Sequence, residues 1–273
     1  MSIITFMDEH DLQKYLGNRP FRFYASTEST MLDAVRWLDE NPELPTGAVI
    51  IADEQRQGKG RLKRGWLTPP GTAVAMSVIF RSEIPPEQLP ILGGMAVAET
   101  LDSYAEDVAL KWPNDVMIAG KKVCGVLAES LWEGDHLRAS ILGMGINISV
   151  DFSATELDSK ATSLIEHMPE NSSIDRAAII AAVLNRMDAW LMLLEAHARS
   201  QYAGIAPSPL YLAWKKRLIT LGQDVQVSTE SETIAGKALD VDSDGALIVQ
   251  LADGEKRRFL AGDVTLSGSE GDQ

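Results

Sequence analysis

Apolar residues recur along the first two thirds of the chain in patterns that predict alternating strands and helices. Short β-branched runs bounded by Gly or Pro are typical of buried strands. The predicted strands are 47–52, 73–80, 108–111, 122–129 and 137–148. A long apolar run predicts a buried helix at 90–105, and apolar residues at helical spacing predict an amphipathic helix at 175–198. The pattern therefore predicts a mixed α/β body.

From about Leu218 the pattern changes to five short strand-like segments, which begin at Asp224, Thr233, Gly245, Lys256 and Asp263. Asp-Gly and Asp-Ser-Asp-Gly turns between them favour hairpins. We therefore expect two domains, a body over 1–217 and a small β-barrel over 218–273. Residues 267–273 are expected to form a disordered tail.

One segment of the body is unusually basic. Residues 56–64 carry five positive charges and no acid in a chain whose formal net charge is −14. The segment is too polar and too rich in Gly to predict a helix or a strand. Its glycines would let backbone amides approach an anion, and its cations would bind phosphate or carboxylate. It matches neither a Walker A loop nor a dinucleotide fingerprint. Taken alone, the segment is therefore as consistent with a solvated surface turn as with an anion-binding loop.

A second motif favours the anion-binding loop over the surface turn. Residues 111–115 are KWPND, and KVCGVLAE follows at 122–129. This pairing closely resembles the biotin–protein ligase family, and the basic segment resembles that family's biotin loop. Further matches are ESTM at 28–31, GMGIN at 143–147 and ATSL at 161–164. Two positions depart from the family pattern: Lys59 replaces an arginine, which removes a planar fork of donors, and Lys63 replaces a glycine, which predicts a stiffer loop.

The resemblance implies an α+β (mixed α/β) catalytic domain of the biotin/lipoate ligase type with a C-terminal SH3-like β-barrel. It implies an enzyme that joins biotin to ATP, forming biotinyl-5'-AMP, and then transfers biotin to a lysine of a biotin carboxyl carrier protein. ATP and Mg²⁺ are the implied cofactors. Because two anions must meet, such a site needs cations fixed in advance.

The same resemblance implies roles for individual residues. Those expected to act in catalysis are Arg61, Lys111, Lys122 and, for the acceptor lysine, Asp115. Those expected to bind biotin are Ser29, Thr30, Met31, Gln55, Lys59, Gly60, Arg61, Lys122, Gly125 and Leu127. Those expected to bind the nucleotide are Arg64, Trp66, Lys111, Asn114 and Asn147. No protein ligand for a metal is predicted, because the four histidines lack ligand spacing.

Composition narrows the alternatives. The acidic net charge argues against general affinity for DNA. Cys124 is the single cysteine, and it is expected to be a packing residue in an apolar strand. A chain with one cysteine has no internal disulfide, which favours the cytoplasm. No membrane span is expected, because no apolar run is long enough. A lipoate or octanoate ligase is the nearest rival, although that class is not expected to carry the basic loop. A biotin-dependent repressor is disfavoured because the family motifs begin at residue 28, which leaves too few residues for the helix-turn-helix domain expected ahead of them. A catalytically silent binding protein is disfavoured because Arg61, Lys111 and Lys122 are all present. A homodimer is left open.

Overall fold

In the computed structural model, a seven-stranded sheet with helices on both faces is joined to a five-stranded antiparallel sheet. The structure describes residues 3–5, 7–61, 64–81, 84–153, 155–229 and 231–266. The predictions of a stiffer loop at Lys63 and a disordered tail at 267–273 fall outside the described residues.

The main sheet has the strand order β2-β3-β6-β10-β9-β8-β7, in which β2 and β3 are parallel and all other neighbours are antiparallel. The strands of the body are β1 Ile3–Ile4, β2 Phe21–Tyr24, β3 Val49–Ala52, β4 Gln55–Lys59, β5 Gly65–Thr68, β6 Ala73–Phe80, β7 Val108–Lys111, β8 Asp115–Ile118, β9 Lys121–Glu133, β10 His136–Asn147 and β11 Ser173–Ile174. The helices are α1 Glu9–Leu16, α2 Thr30–Glu40, α3 Leu89–Leu101, α4 Arg176–Ala198 and α5 Pro209–Arg217.

The mixed α/β body predicted from the sequence is confirmed, with one correction. The basic segment does contain strands: β4 and β5 pair as an antiparallel hairpin, in which Gly58 lies opposite Trp66 and Lys59 opposite Gly65. The prediction that this segment is too polar for a strand was wrong, because the hairpin forms a separate two-stranded sheet instead of a buried strand of the core. Exposed positions such as Arg56 and Gln57 therefore carry no burial cost there.

Helices cover the two faces of the main sheet differently. On one face α3 packs closely enough that a Cβ at Gly93 would lie 3.0–3.4 Å from Val126, Leu142 and Met144. On the other face α2 covers only one end, where its buried residues form a cluster with Ile50, Ile79 and Ile141. The remainder of that second face, towards β8 and β7, is left for the β4–β5 hairpin.

Helix α4 is long and apolar enough to cross a membrane by length and composition alone. Its first half, however, is buried in the protein core, including Ile179, Ile180, Val183 and Leu184. Its N-terminus is capped by Asp175, which accepts hydrogen bonds from two backbone amides of the first turn. This burial is that of a core helix.

The C-terminal strands follow as β12 Asp224–Ser228, β13 Thr233–Val241, β14 Leu247–Gln250, β15 Lys256–Phe259 and β16 Asp263–Leu266, in the order β15-β14-β13-β12-β16. This sheet shares one hydrophobic core with the body. Trp112, 1% exposed, is one connection between them: its backbone amide donates to Thr220 Oγ1 (2.9 Å) and its indole donates to the Gly245 carbonyl (2.8 Å). The C-terminal sheet is thereby held beside the end of β7, next to the KWPND segment.

Candidate active site

The uncovered part of the sheet is lined by small residues. Cross-strand pairing places Ala75, Gly145 and Gly125 directly opposite one another on β6, β10 and β9. The same row continues into Asp115 on β8 and Lys111 on β7. Residues directly opposite in neighbouring strands point to the same face. We call Ala75, Gly125 and Gly145 the site floor, because they leave a shallow strip that ends in two charged residues.

The β4–β5 hairpin lies over this floor. A Cβ at Gly145 would overlap the Trp66 indole, and a Cβ at Gly125 would lie 3.0 Å from Trp66 Cζ3. The indole therefore rests against the backbone of the sheet. Its N–H is buried and has no hydrogen-bond partner among the described residues. An unpaired buried donor is a group that a ligand oxygen could satisfy.

Two lysines lie at one end of the floor, Lys111 on the edge strand β7 and Lys122 on β9. Lys122 Nζ lies 2.5 Å from Asp115 Oδ1 and 5.4 Å from the centroid of the Trp66 ring. Burial lowers the pKa of Lys111, while Asp115 opposes this effect and Lys122 adds to it. Partly buried cations at short range create a positive potential that is only weakly screened by water. This edge of the floor is suited to an anion.

A third cation comes from the turn of the hairpin and is held by one residue of the body and one of the C-terminal segment. Arg61 donates to Asn114 Oδ1 and to the Gly262 carbonyl, each at 3.1 Å. Burial lowers the pKa of this guanidinium, an effect opposed by Asp263 and Asp115. Arg64, which is exposed, pairs with Asp263 at 2.5 Å. Gly262 and Asp263 were not predicted as site residues, because they lie about two hundred residues from the hairpin in sequence and carry no local motif.

The opposite end of the site is a network of neutral polar groups. Gln55 Oε1 accepts hydrogen bonds from the Thr30 backbone amide (2.9 Å) and hydroxyl (3.0 Å), and Thr30 also contacts Ser77 (2.7 Å). The Ser29 hydroxyl is buried without a partner among the described residues. Met31 is buried against β10, where a Cβ at Gly143 would lie 2.9 Å from its sulfur. These groups could bind a polar ring between amide and hydroxyl partners.

The remaining predicted residues are placed less directly. Asn147 is 2% exposed, and its side chain donates to the Thr162 carbonyl (3.1 Å), so it holds the 160–162 segment beside Lys122. Lys59 is exposed at the end of β4. The Gly60 amide donates to the Arg64 carbonyl (2.8 Å) and closes the hairpin turn. Cys124 is fully buried, and burial raises the pKa of its thiol, so it is a packing residue.

A cleft of about 190 Å³ lies beside Arg61, between the body and the C-terminal segment. Its lining includes Arg61, Asn114 and Leu127 from the body and Leu260 and Ala261 from the C-terminal sheet. Within the residues that the structure describes, no group of three His, Cys, Asp or Glu side chains is arranged to hold a metal ion. The fold and the site together are those expected of an enzyme whose ligand has an anionic end, because the site floor ends beside three cations.

Comparisons with known proteins identify the family. Residues 23–147 match the biotin/lipoate A/B protein ligase family, and residues 220–267 match the biotin protein ligase C-terminal domain. The biotin–[acetyl-CoA-carboxylase] ligase of Mycobacterium tuberculosis is 30% identical over 94% of this chain and 95% of its own length. The chain belongs to the biotin/lipoate A/B protein ligase family. The predicted resemblance to biotin–protein ligases and the predicted enzyme class are confirmed.

Two further relatives place the fold. The bifunctional ligase/repressor BirA of Bacillus spizizenii is 35% identical over 81% of this chain and 67% of its own length. A solved biotin protein ligase from Aquifex aeolicus, in complex with biotin and ATP, has a TM-score of 0.71 and 27% identity over 91% of this chain and 98% of its own. The predicted catalytic fold with a C-terminal barrel is confirmed.

Proposed function

We propose that this chain activates biotin with ATP and transfers the biotinyl group to a lysine of a biotin carrier domain in a carboxylase. The main support for the proposal is that Lys111, Lys122 and Arg61 lie together at one end of the site floor. The reaction brings the biotin carboxylate to the α-phosphate of ATP. Cations fixed beforehand offset the repulsion between these two anions and stabilise charge in the transition state.

In the first step, a biotin carboxylate oxygen bonds to the α-phosphorus and pyrophosphate leaves. Lys122 contacts the carboxylate and the phosphate, Lys111 faces the phosphates, and Arg61 closes over them from the hairpin. Lys59 and Arg64 supply further charge at the rim. Ser29, Thr30 and Gln55 bind the ureido ring of biotin, Gly125 and Leu127 form the apolar wall beside its thioether ring, and Met31 and Gly60 complete the biotin site. Trp66, Asn114 and Asn147 support the nucleotide side.

In the second step, the ε-amine of the carrier lysine attacks the biotinyl carbonyl, and AMP leaves as the amide bond forms. The amine must lose a proton, because at neutral pH a lysine with an ordinary pKa is almost entirely charged. Asp115 is the carboxylate at this end of the floor, 2.5 Å from Lys122 Nζ. We assign it to accepting that proton or orienting the amine.

Magnesium is part of the proposal as a companion of the triphosphate. Asp115 and Asp263 are the carboxylates near the three cations, and each is paired with a cation, Lys122 or Arg64. The described residues offer no cluster of carboxylates that would form a protein cage. This donor set fits an ion held through phosphate oxygens and water, whose charge offsets that of the phosphates. A cytoplasmic location is also proposed, supported by the lone buried thiol of Cys124.

Pyrophosphate release tests the substrate assignment. The protein is incubated with ATP, magnesium and either biotin, lipoate or octanoate, without an acceptor. We expect release with biotin and none above background with the two fatty acids, because the polar network around Thr30 and Gln55 has partners only in a ureido ring. Release with lipoate or octanoate at the rate seen with biotin would contradict the proposal.

A further inference from the structure

Gly145 and Trp66 are in contact although they belong to different sheets. Gly145 is in the middle of β10, which is paired on both sides, with β6 and with β9. A Cβ at this position would overlap three atoms of the indole: Nε1, Cε2 and Cζ2. Because a strand paired on both sides cannot move aside readily, any side chain at 145 would displace the indole instead of the sheet.

The position of the indole affects the reacting end of the site. Lys122 Nζ lies over the Trp66 ring, 5.4 Å from its centroid, while pairing with Asp115. A Cβ at Gly125 would meet both the indole and the Lys122 amine, at 3.0 and 3.2 Å. An ammonium over an indole face is attracted by the ring quadrupole. The ring therefore helps to fix where the Lys122 charge lies.

We infer that Gly145 is a positioning residue for the adenylation step: by having no side chain, it admits the Trp66 indole onto the sheet, and the indole in turn positions Lys122. This inference rests on the proposed function. It gives the second glycine of the GMGIN segment a role that differs from that of the first. Gly143, two residues earlier on the same face, faces Met31 instead of Trp66.

A double-mutant cycle tests this role. Gly145→Ala, Trp66→Ala and the combined variant are compared with the wild type for kcat and KM of biotin-dependent pyrophosphate release. Gly143→Ala, alone and combined with Trp66→Ala, is the matched control. The emission of Trp66 is isolated from the other five tryptophans by subtracting the spectrum of Trp66→Phe, in each glycine background.

We expect Gly145→Ala to lower kcat/KM for biotin about fivefold to thirtyfold, the range of a cation–aromatic contact. In the Trp66→Ala background the same substitution should change kcat/KM less than about twofold, since no indole is left to displace. Trp66 emission should shift to the red in Gly145→Ala but not in Gly143→Ala. The effects of Gly143→Ala and Trp66→Ala should be additive.

Three results would overturn the inference: an equal loss from Gly145→Ala in both backgrounds, an unshifted Trp66 spectrum, or unchanged kinetics in Gly145→Ala. If Gly145→Ala unfolds the protein, the inference requires the Trp66→Ala combination to restore a cooperative melting transition, and failure to do so counts against it. Wild-type activity with biotin separates these outcomes from failure of the proposed function, which would leave the wild type inactive.

Discussion

We predict that Arg61 controls how well the reactive adenylate is retained, so replacing it should make the enzyme release that intermediate. Biotinyl-adenylate is a mixed anhydride that acylates amines and water once it leaves the site. The turn of the hairpin that covers the floor is tied to the rest of the protein by two Arg61 hydrogen bonds, to Asn114 and to the Gly262 carbonyl, beside the Arg64–Asp263 ion pair. Arg61→Gly removes both, together with a charge that would pair with the adenylate phosphate.

The size of the effect follows from these contacts. Each hydrogen bond contributes about 1–1.5 kcal/mol net, so their loss shifts the balance between closed and open hairpin by about 2–3 kcal/mol. At about 1.4 kcal/mol for each factor of ten, this is about 30- to 150-fold. We expect adenylate loss to rise by up to that factor, because only the open hairpin releases the ligand.

The assay measures biotin on bystander proteins mixed with the enzyme, ATP, magnesium and biotin, at matched rates of adenylate synthesis. Arg56→Gly is the matched control, because Arg56 lies in the same hairpin but is exposed. Arg61→Gly should label bystanders strongly and Arg56→Gly should not. Bystander labelling by Arg61→Gly at the wild-type level, or equal labelling by both variants, would show that Arg61 has no specific role in retaining the adenylate.

Other substitutions and conditions test further contacts. Lys122→Ala should lower pyrophosphate release about 100- to 1000-fold, the usual cost of losing one group that stabilises transition-state charge, and near-wild-type release in a folded variant would exclude its role. Trp112→Phe removes the hydrogen bond to Gly245 and should lower the free energy of unfolding in urea by about 1 kcal/mol; no change would mean that this contact adds no stability. Removal of magnesium with EDTA should stop pyrophosphate release without changing the melting temperature of the ligand-free protein, and a lowered melting temperature would indicate a protein-bound metal. Because burial lowers the pKa of Lys111, the unfolded chain holds that proton to higher pH, so the contribution of Lys111 to stability should rise with pH just below the usual value of 10.5. The wild type should therefore gain stability relative to Lys111→Met over this pH range.

Much of the fold could be predicted because its elements carry local signals. The strand β6 was predicted with its observed bounds, 73–80, since its eight residues are apolar and all buried. The five C-terminal strands were predicted from their turns. In contrast, β2 was missed: all four of its residues are only partly buried, so it lacks a continuous apolar run. The helix α2 was also missed, because only its first two residues were considered, as part of the binding motif at 28–31.

The site was predicted unevenly for a similar physical reason. Lys111, Asp115 and Lys122 belong to sequence-local motifs, and strand pairing then brings them together at one edge of the sheet. The contacts of Arg61 with Gly262 and of Trp66 with Gly145 join distant segments. Those contacts depend on how the hairpin lies over the sheet, which no local pattern encodes.

Mass spectrometry of an acceptor protein tests whether this chain transfers biotin to a carrier lysine. The protein is incubated with biotin, ATP, magnesium and a biotin carrier domain, and the intact mass and modified site of the carrier are measured. We expect the addition of one biotinyl group to a single carrier lysine, and this addition should depend on both ATP and biotin. A carrier left unmodified by wild-type enzyme, or modified when lipoate replaces biotin, would contradict it.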